Sequence, residues 1–519
     1  MPKRPRRPHP LRRHLGGGDF VRRGAYGCVF DPPLTTVPPT DTAGRVGKLM
    51  DKAAALSEFA ESAPFREADR DGAYGLYPID LPRPVLLRDA VATAGGLPQV
   101  MRCAANDADD EGHEEGGGGE DGEVLPTRPR AAEAALAMLR EVQQRGARGG
   151  GASANTYQLV LPRGVTDMHV VLHETVALLA DSGAPTSLPA RVRLVREHLR
   201  ASAPLFSGIA AYSAARLYHQ DIKPPNVVLQ SPLGADASVA QHLAAGVYKF
   251  IDFGLAQHEP IDFHASTSTL SSLYPYYAPW SRVVFNLPPD LHGVPLQVLA
   301  SAPAAAGHGG SSAALRNAYD AVLGELRGDG GGVDAWRYFP EYDPYDLMAA
   351  VTNGGLGTVE SAWLMTPPQL GLALVRAADA YSLGMILQEL LDAVLCTNLA
   401  GTGGAVGMSV RDPLRPVHKR VGALPVTQAL ARAIIRLASM GVAAADLPAL
   451  HAELLAAADA SVAEVQPQPQ PQSQAAPRRP ASPPRTRRRA RPSSPPPPKY
   501  APILSRRLRQ RRRVAAPGE

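Results

Sequence analysis

Apolar and polar positions alternate in blocks that predict short buried strands and longer helices. Residues 157–162, 227–229 and 247–251 are largely apolar runs with the length of strands. Residues 51–68 are rich in Ala, Glu and Lys, which favours a helix. A more apolar helix is expected over residues 379–395. Polar residues border two of the strands, where a rigid base would aim their side chains.

The polar residues at these borders form a set with chemical meaning. His219, Asp221, Lys223 and Asn226 precede one apolar run, and Asp252 directly follows the next. Transfer of a phosphoryl group from ATP to a hydroxyl requires mainly that the reactants are positioned and that phosphate charge is neutralised. Carboxylates, an amide and a lysine are sufficient for that task.

The order of these residues resembles the catalytic core of the protein kinases, in which a His-x-Asp-x-x-x-x-Asn loop is followed by Asp-Phe-Gly. The resemblance implies a bilobal α+β fold with a small β-rich N-lobe and a larger helical C-lobe. It also implies ATP and Mg²⁺ as cofactors. Asp221 would accept the substrate hydroxyl proton or orient that hydroxyl, and Asn226 and Asp252 would hold magnesium. Lys223 fits the serine/threonine-directed form of the loop.

The nucleotide-binding part should precede this loop. Residues 22–30 resemble the kinase glycine-rich loop, with Gly24, Gly27 and Val29 retained and Arg22 at the first glycine position. Glycine lets the backbone approach phosphates closely. The predicted strand over residues 157–162 would provide the hinge between the lobes, with adenine contacts from Leu159 and Leu161.

Lys48 resembles the strand lysine that contacts the α and β phosphates in this family. It needs a carboxylate partner from the helix that follows. Glu58 is the preferred partner, and Glu61 and Glu67 are the alternatives. At least two of the three glutamates must be ordinary solvated helix charges.

Further residues of the set have structural or regulatory roles in the family. Asp379 opens a segment that resembles Asp-x-Trp-Ser-Leu-Gly, whose aspartate braces the catalytic loop. His219 and Gln220 stand in that loop, and Phe253 and Gly254 complete Asp-Phe-Gly.

Two departures from the family pattern concern regulation. Gln220 replaces the arginine that normally pairs with a phosphorylated residue, so we expect activity that does not depend strictly on phosphorylation. The residues 266–269 would still be available for autophosphorylation. Residues 277–280 and 366–369 both approximate Ala-Pro-Glu without its glutamate, and the second fits better because it lies ten residues before Asp379.

Among kinases, the chain resembles the conserved herpesvirus serine/threonine protein kinases, particularly the alphaherpesvirus tegument type. The abbreviated Asp221 loop, the divergent glycine loop, the segment at Asp379 and the low-complexity insertions carry this resemblance. It implies a kinase of the host nucleus and virion tegument that phosphorylates itself and viral and host proteins.

Charge separates the chain into a folded part and two basic ends. The net charge is +5, yet residues 466–519 contribute +13 and residues 1–13 contribute +6, so residues 14–465 carry −14. We expect a disordered N-terminus over 1–17, a kinase domain over 18–465 and a disordered Pro/Arg-rich tail over 466–519. The lobes would divide at about residue 160, with an acidic insertion at 105–123 and others at 231–246 and 300–332.

The basic ends favour binding to the nuclear import machinery, and nucleic acid binding would depend on the tail alone. Three cysteines predict neither a disulfide framework nor a zinc site, and therefore a reducing compartment. The sequence contains no expected secretory signal or bilayer-spanning run, so we expect a soluble protein without membrane contact.

Three functional hypotheses follow from these features. The first is an active serine/threonine kinase that uses Lys48, Glu58, Asp221, Asn226 and Asp252. The second is a catalytically weak scaffold that recruits partners through a kinase fold and basic tail. The third is a nucleic-acid-binding protein whose binding would be lost on truncation near residue 466.

Overall fold

The computed structural model describes residues 19–23, 27–39, 41, 43–87, 103, 130–145, 151–181, 188–234, 236–261, 276–285, 287, 291–295, 361, 364–396 and 419–465. The predicted disordered segments at 1–17, 105–123 and 466–519 and the predicted insertion at 300–332 lie outside these residues. So do Gly24 and the cluster at 266–269. The described part is a mixed α+β structure.

An antiparallel five-stranded sheet forms the N-terminal part of the fold, in the order β1-β2-β3-β5-β4. Its strands are β1 (Asp19–Arg23), β2 (Cys28–Asp31), β3 (Arg45–Asp51), β4 (Arg83–Leu86) and β5 (Ala152–Pro162). Helix α1 (Lys52–Ala68) packs on one face, where its Ala55 lies among Met50, Leu159 and Leu161. Helix α2 (Arg130–Arg145) covers the other face, with its Met138 packed near Phe30 and Leu49.

Helices dominate the remainder of the described chain. They are α3 (Met168–Asp181), α4 (Leu188–Ala201), α5 (Ala203–Ala214), α6 (Val239–Ala245), α7 (Pro279–Phe285), α8 (Pro367–Leu390) with a π-helical extension over Leu391–Cys396, α9 (Lys419–Gly422), α10 (Pro425–Ala438) and α11 (Leu447–Val465). Short antiparallel strands accompany them: β6 (Thr166–Asp167), β7 (Leu217–Tyr218), β8 (Val227–Gln230), β9 (Val247–Phe250) and β10 (Gln257–His258). Single 3-10 turns cover Pro224–Asn226 and Ala444–Asp446.

The predicted strands at 227–229 and 247–251 are confirmed as β8 and β9, which pair with each other. The predicted strand at 157–162 is confirmed within β5. It pairs with β3 along its length, and residues 163–165 connect it to β6. The apolar residues of a strand indicate that it is buried, but they do not indicate where its pairing with a neighbouring strand begins or ends.

The predicted helix at 51–68 is confirmed as α1, and its ends explain its position. The Asp51 carboxylate accepts a hydrogen bond from the Ala54 N–H, which satisfies a backbone donor of the first turn. Beyond the helix, the Asp69 carboxylate accepts hydrogen bonds from three backbone N–H groups and from the Tyr77 hydroxyl. This loop then joins the helical part, because the Leu76 N–H donates to the Phe250 carbonyl. Asp69 therefore fixes α1 relative to β9.

Helix α8 begins at Pro367, twelve residues before the predicted start at Asp379. Thr366 and Gln369 form a capping box there, a local signal that the resemblance at Asp379 obscured. The expectation of no bilayer-length apolar run is also corrected, because Pro367–Leu395 passes that test by length and composition. Its most apolar stretch is 89% buried within the protein, so it is the central core helix. Gly384 permits close packing on α10, since a Cβ there would lie 2.8 Å from Leu437 Cβ.

The insertion predicted at 231–246 is ordered at its C-terminal end. It contains α6, which begins with a capping box between Ser238 and Gln241 and buries Leu243 in the main core. The insertion therefore contributes to the folded core.

The cysteine prediction is wrong in one respect. Cys28 of β2 and Cys103 form a disulfide, and both are buried beside α2. The two residues are 75 positions apart, so their proximity depends on the sheet topology. Counting cysteines could not show it.

We expect Asp69→Asn to lower the free energy of unfolding by about 2 to 3 kcal/mol, because an amide offers one acceptor oxygen where the four donors now share two. Urea unfolding followed by circular dichroism would measure this loss. Asp71→Asn is the matched control, since Asp71 is exposed on the same loop. Equal stabilities for the two variants would contradict the role of Asp69.

Candidate functional site

A buried lysine joins three elements at the centre of the candidate site. Lys48 Nζ on β3 lies 2.7 Å from Glu58 Oε2 on α1 and 3.0 Å from Asp252 Oδ1, just after β9. The predicted pairing of Lys48 with Glu58 is thus present. Glu67 is exposed, and Glu61 hydrogen-bonds Ser57 instead. One cation is therefore shared between two carboxylates.

The electrostatics of this triad follow from its burial. Burial alone would lower the pKa of Lys48, but Asp252 and Glu58 outweigh it and raise that pKa. Burial raises the pKa of Glu58 to about 7 against the attraction of Lys48. Burial would also raise the pKa of Asp252, yet Lys48 holds that pKa below its usual value. Lys48 and Asp252 are consequently charged at neutral pH.

The sheet provides an apolar surface next to Lys48. Val29 on β2 and Leu159 on β5 pair directly with Lys48, and Leu161 pairs with Val46 two residues earlier, so these side chains share one face. Leu159 and Leu161 are buried in the apolar cluster between the sheet and α1. Glycine is required at Gly27, where a Cβ would lie 2.8 Å from the Leu49 carbonyl oxygen. This places the described part of the glycine loop directly over β3.

The predicted catalytic loop brings its polar residues together. Asn226 Nδ2 donates to the Asp221 carbonyl at 2.9 Å and to Asp221 Oδ2 at 2.6 Å. Lys223 Nζ lies 3.3 Å from Asp221 Oδ1. Burial raises the pKa of Asp221 to about 6, and Lys223 and Asn226 limit the rise. The carboxylate is therefore a buried base that titrates just below neutral pH.

Asp379 on α8 fixes the backbone of this loop by hydrogen bonds. Its two carboxylate oxygens accept hydrogen bonds from the backbone N–H groups of His219 at 2.7 Å and Gln220 at 2.8 Å. The predicted bracing contact is therefore present. Gln220 has φ +64°, a left-handed conformation that costs energy in a non-glycine residue. The paired hydrogen bonds from Asp379 fix the backbone there.

Phe253 connects the loop to α1 through aromatic contacts. Its ring centroid lies 4.8 Å from that of His219 and 4.9 Å from that of Phe65. Burial lowers the pKa of His219 to about 4, so this ring is neutral and packs as an aromatic group. Gly254 follows next to Glu58 and Asp252, since a Cβ there would lie 3.5 Å from Asp252 Oδ1.

Tyr277 was not predicted as a site residue. Its hydroxyl donates to Asp221 Oδ1 at 3.3 Å, so a second polar group contacts the carboxylate. The signal was available in the 277–280 segment, which begins α7, and Ser382 of α8 ties this segment down by donating to the Tyr276 carbonyl. Residues 366–369, the preferred alternative, form the capping box at the start of α8.

The residues present fit a magnesium ion. The side chains of Asn226 and Asp252 provide amide and carboxylate oxygens, the ligands that Mg²⁺ prefers, and this ion commonly takes few protein ligands. Asn226 uses its amide nitrogen for Asp221, which leaves its side-chain oxygen as the ligand atom. Within the described ranges, no group of three or more His, Cys, Asp or Glu side chains could hold a metal ion.

We expect Lys48→Met to destabilise the protein by about 3 kcal/mol at pH 8, because Glu58 and Asp252 would be left as uncompensated buried charges. Without the ammonium, the folded-state pKa of Asp252 would rise above its unfolded value, and that of Glu58, which burial already raises to about 7, would rise further. The variant would therefore lose stability relative to wild type as pH rises from 5 to 8. Urea unfolding at both pH values measures the difference.

The matched control is Lys52→Met, which removes an exposed lysine near the start of α1. It should unfold like wild type at both pH values. A Lys48→Met penalty that does not change with pH would show that the lysine is not compensating these carboxylates.

Comparisons with protein-family models and with curated proteins identify no relative. No protein-family model matches the chain, and no curated protein matches it significantly. The functional interpretation therefore depends on the arrangement of Lys48, Glu58, Asp221, Asn226 and Asp252.

Proposed function

We propose that this protein is an ATP-dependent serine/threonine protein kinase with a bilobal kinase-like fold. The observation that carries the proposal is the convergence of two groups. Lys48, Glu58 and Asp252 form one buried charge network, and Asp221 with Asn226 forms a second beside it. Buried ionisable groups of this kind are costly for stability and are typical of functional sites.

Each residue has a defined task in the proposed reaction. Asp221 accepts the proton of the substrate hydroxyl as its oxygen forms a bond to the γ-phosphorus of ATP. The bond between that phosphorus and the oxygen bridging the β- and γ-phosphates breaks, and ADP leaves. Lys48 and Lys223 place positive charge near the phosphates. Asn226 and Asp252 would hold magnesium, which would supply further charge neutralisation when bound.

The remaining features support a narrower proposal. Lys223 two positions after Asp221 favours serine or threonine as the acceptor. The resemblance to herpesvirus tegument kinases favours action on viral and host proteins in the nucleus and virion. The basic residues at 1–13 and 466–519 suit binding to import machinery.

The direct test is phosphoryl transfer from labelled ATP, with Mg²⁺, to a basic protein substrate. We expect Lys48→Met and Asp221→Asn each to reduce kcat at least about 100-fold, since they remove phosphate positioning and the general base. Lys52→Met and Asp71→Asn are exposed, charge-matched controls that should keep wild-type rates. Phosphoamino-acid analysis should give phosphoserine and phosphothreonine.

Equal labelling by wild type and the two site variants would refute the kinase proposal. If wild type transfers no phosphate although it binds ATP, the scaffold hypothesis is favoured instead.

Gln220 leads to a second expectation, about regulation. Its amide donates to the Val375 carbonyl at 3.0 Å and carries no charge to attract a phosphate. Wild-type kinase treated with a phosphatase should therefore keep most of its activity. Measuring initial rates before and after treatment tests this, with heat-inactivated phosphatase as the control. Complete loss of activity would contradict it.

A further inference from the structure

A further charge network joins the segment after Asp252 to strand β7 and helix α8. Its centre is Glu259, which directly follows strand β10 and is seven residues beyond Asp252. Glu259 Oε1 accepts from Arg376 Nε at 2.8 Å and from the Tyr218 hydroxyl at 2.9 Å. Arg216 contributes a longer contact, 3.5 Å from Oε2. One carboxylate thus connects three separate parts of the chain.

These contacts fall on the elements that hold the site. Arg376 lies on α8 one turn before Asp379, and Tyr218 directly precedes His219. The backbone repeats the connection, because β10 pairs with β7 and the Glu259 N–H donates to the Arg216 carbonyl at 3.1 Å. Glu259 therefore ties the segment after Asp252 to the same helix and loop that Asp379 joins.

The central pair of this network is partly shielded from water, whereas Arg216 is exposed. The side chains of Glu259 and Arg376 are 14% and 20% exposed. An apolar cluster of Tyr218, Tyr277, Phe285 and Val375, with Ile261 packed against it, lies alongside. Burial would raise the pKa of Glu259, but the hydrogen bonds from Arg376 and Tyr218 outweigh it and lower that pKa. The carboxylate is therefore a permanent anion at neutral pH.

The charged contact of Glu259 matters because Gln220, in the loop beside it, carries no charge. The side chain at that position is neutral and buried, and its Oε1 has no hydrogen-bond partner among the described residues. The ion pair that connects the segment after Asp252 to helix α8 is formed by Glu259 and Arg376. Both partners are encoded in the chain, so the ion pair needs no added group.

We propose that Glu259 is a positioning residue whose carboxylate, paired with Arg376, holds the segment after Asp252 against the catalytic loop and so maintains the active arrangement without phosphorylation. The inference rests on the proposed kinase function. It adds to that function the structural source of constitutive activity.

Glu259→Gln and Arg376→Gln test this inference, and each keeps the size of the side chain while removing its charge. We expect kcat to fall about 10- to 100-fold in both variants, as misplacement of reacting groups does, with a smaller change in the KM for ATP. The double variant should be no worse than either single one, because the two residues act through one pair. Glu453→Gln is the control, since it removes a carboxylate whose contacts to Arg432 and Arg436 are 3.9 and 3.8 Å long and half-exposed.

Amide hydrogen exchange supplies a readout that does not depend on activity. Residues 257–261 should exchange faster in both Gln variants than in wild type or Glu453→Gln. Wild-type exchange together with wild-type kcat in Glu259→Gln would overturn the inference while leaving the kinase proposal intact. If wild type itself transfers no phosphate, the kinase proposal fails, and the exchange data still report whether Glu259 fixes the segment.

Discussion

The arrangement of the site depends on one buried ammonium group that must serve two carboxylates. Lys48 reaches Glu58 and Asp252 only if β3, α1 and the end of β9 meet at one point. A buried charge without a partner costs several kcal/mol, so any displacement of these elements is opposed by desolvation. Asp69 adds a second constraint on α1 through its hydrogen bonds to the loop that follows. The sheet and the helical part are thereby held in a defined relation.

Stability alone does not account for this concentration of charge. Replacing a buried ion pair by apolar residues is often neutral or stabilising. Here the buried set also includes Asp221 and Asp379, and burial raises the pKa of each to about 6. Asp379 uses both oxygens on backbone N–H groups, whereas Asp221 faces Lys223 and Tyr277. The first carboxylate is therefore occupied by backbone donors, whereas the second is surrounded by polar side chains.

Local sequence patterns predicted the elements that bear the site, and failed where distant parts of the chain meet. Helix α1, strands β8 and β9, and the pairing of Lys48 with Glu58 followed from composition, apolar runs and motif order. The contact of Tyr277 with Asp221 and the Cys28–Cys103 disulfide join residues 56 and 75 positions apart. Their proximity depends on how helices and sheet pack. The start of α8 was predicted too late for another reason. Its signal is the capping box at Thr366, which lies well before the motif at Asp379.

Helix α8 makes two polar contacts around the loop at 219–226, one through Asp379 and one through Arg376, and they differ in the atoms they use. Asp379 binds backbone N–H groups, so its contact is independent of the side chains at positions 219 and 220. The pair of Glu259 and Arg376 binds through side chains, and it joins α8 to the segment after Asp252. A neutral side chain at Gln220 is compatible with the backbone contact of Asp379, and it adds no charge to the pair of Glu259 and Arg376. The amide of Gln220 carries no charge, so within the described residues the charged contacts of this segment are those that Glu259 makes with Arg376 and Arg216.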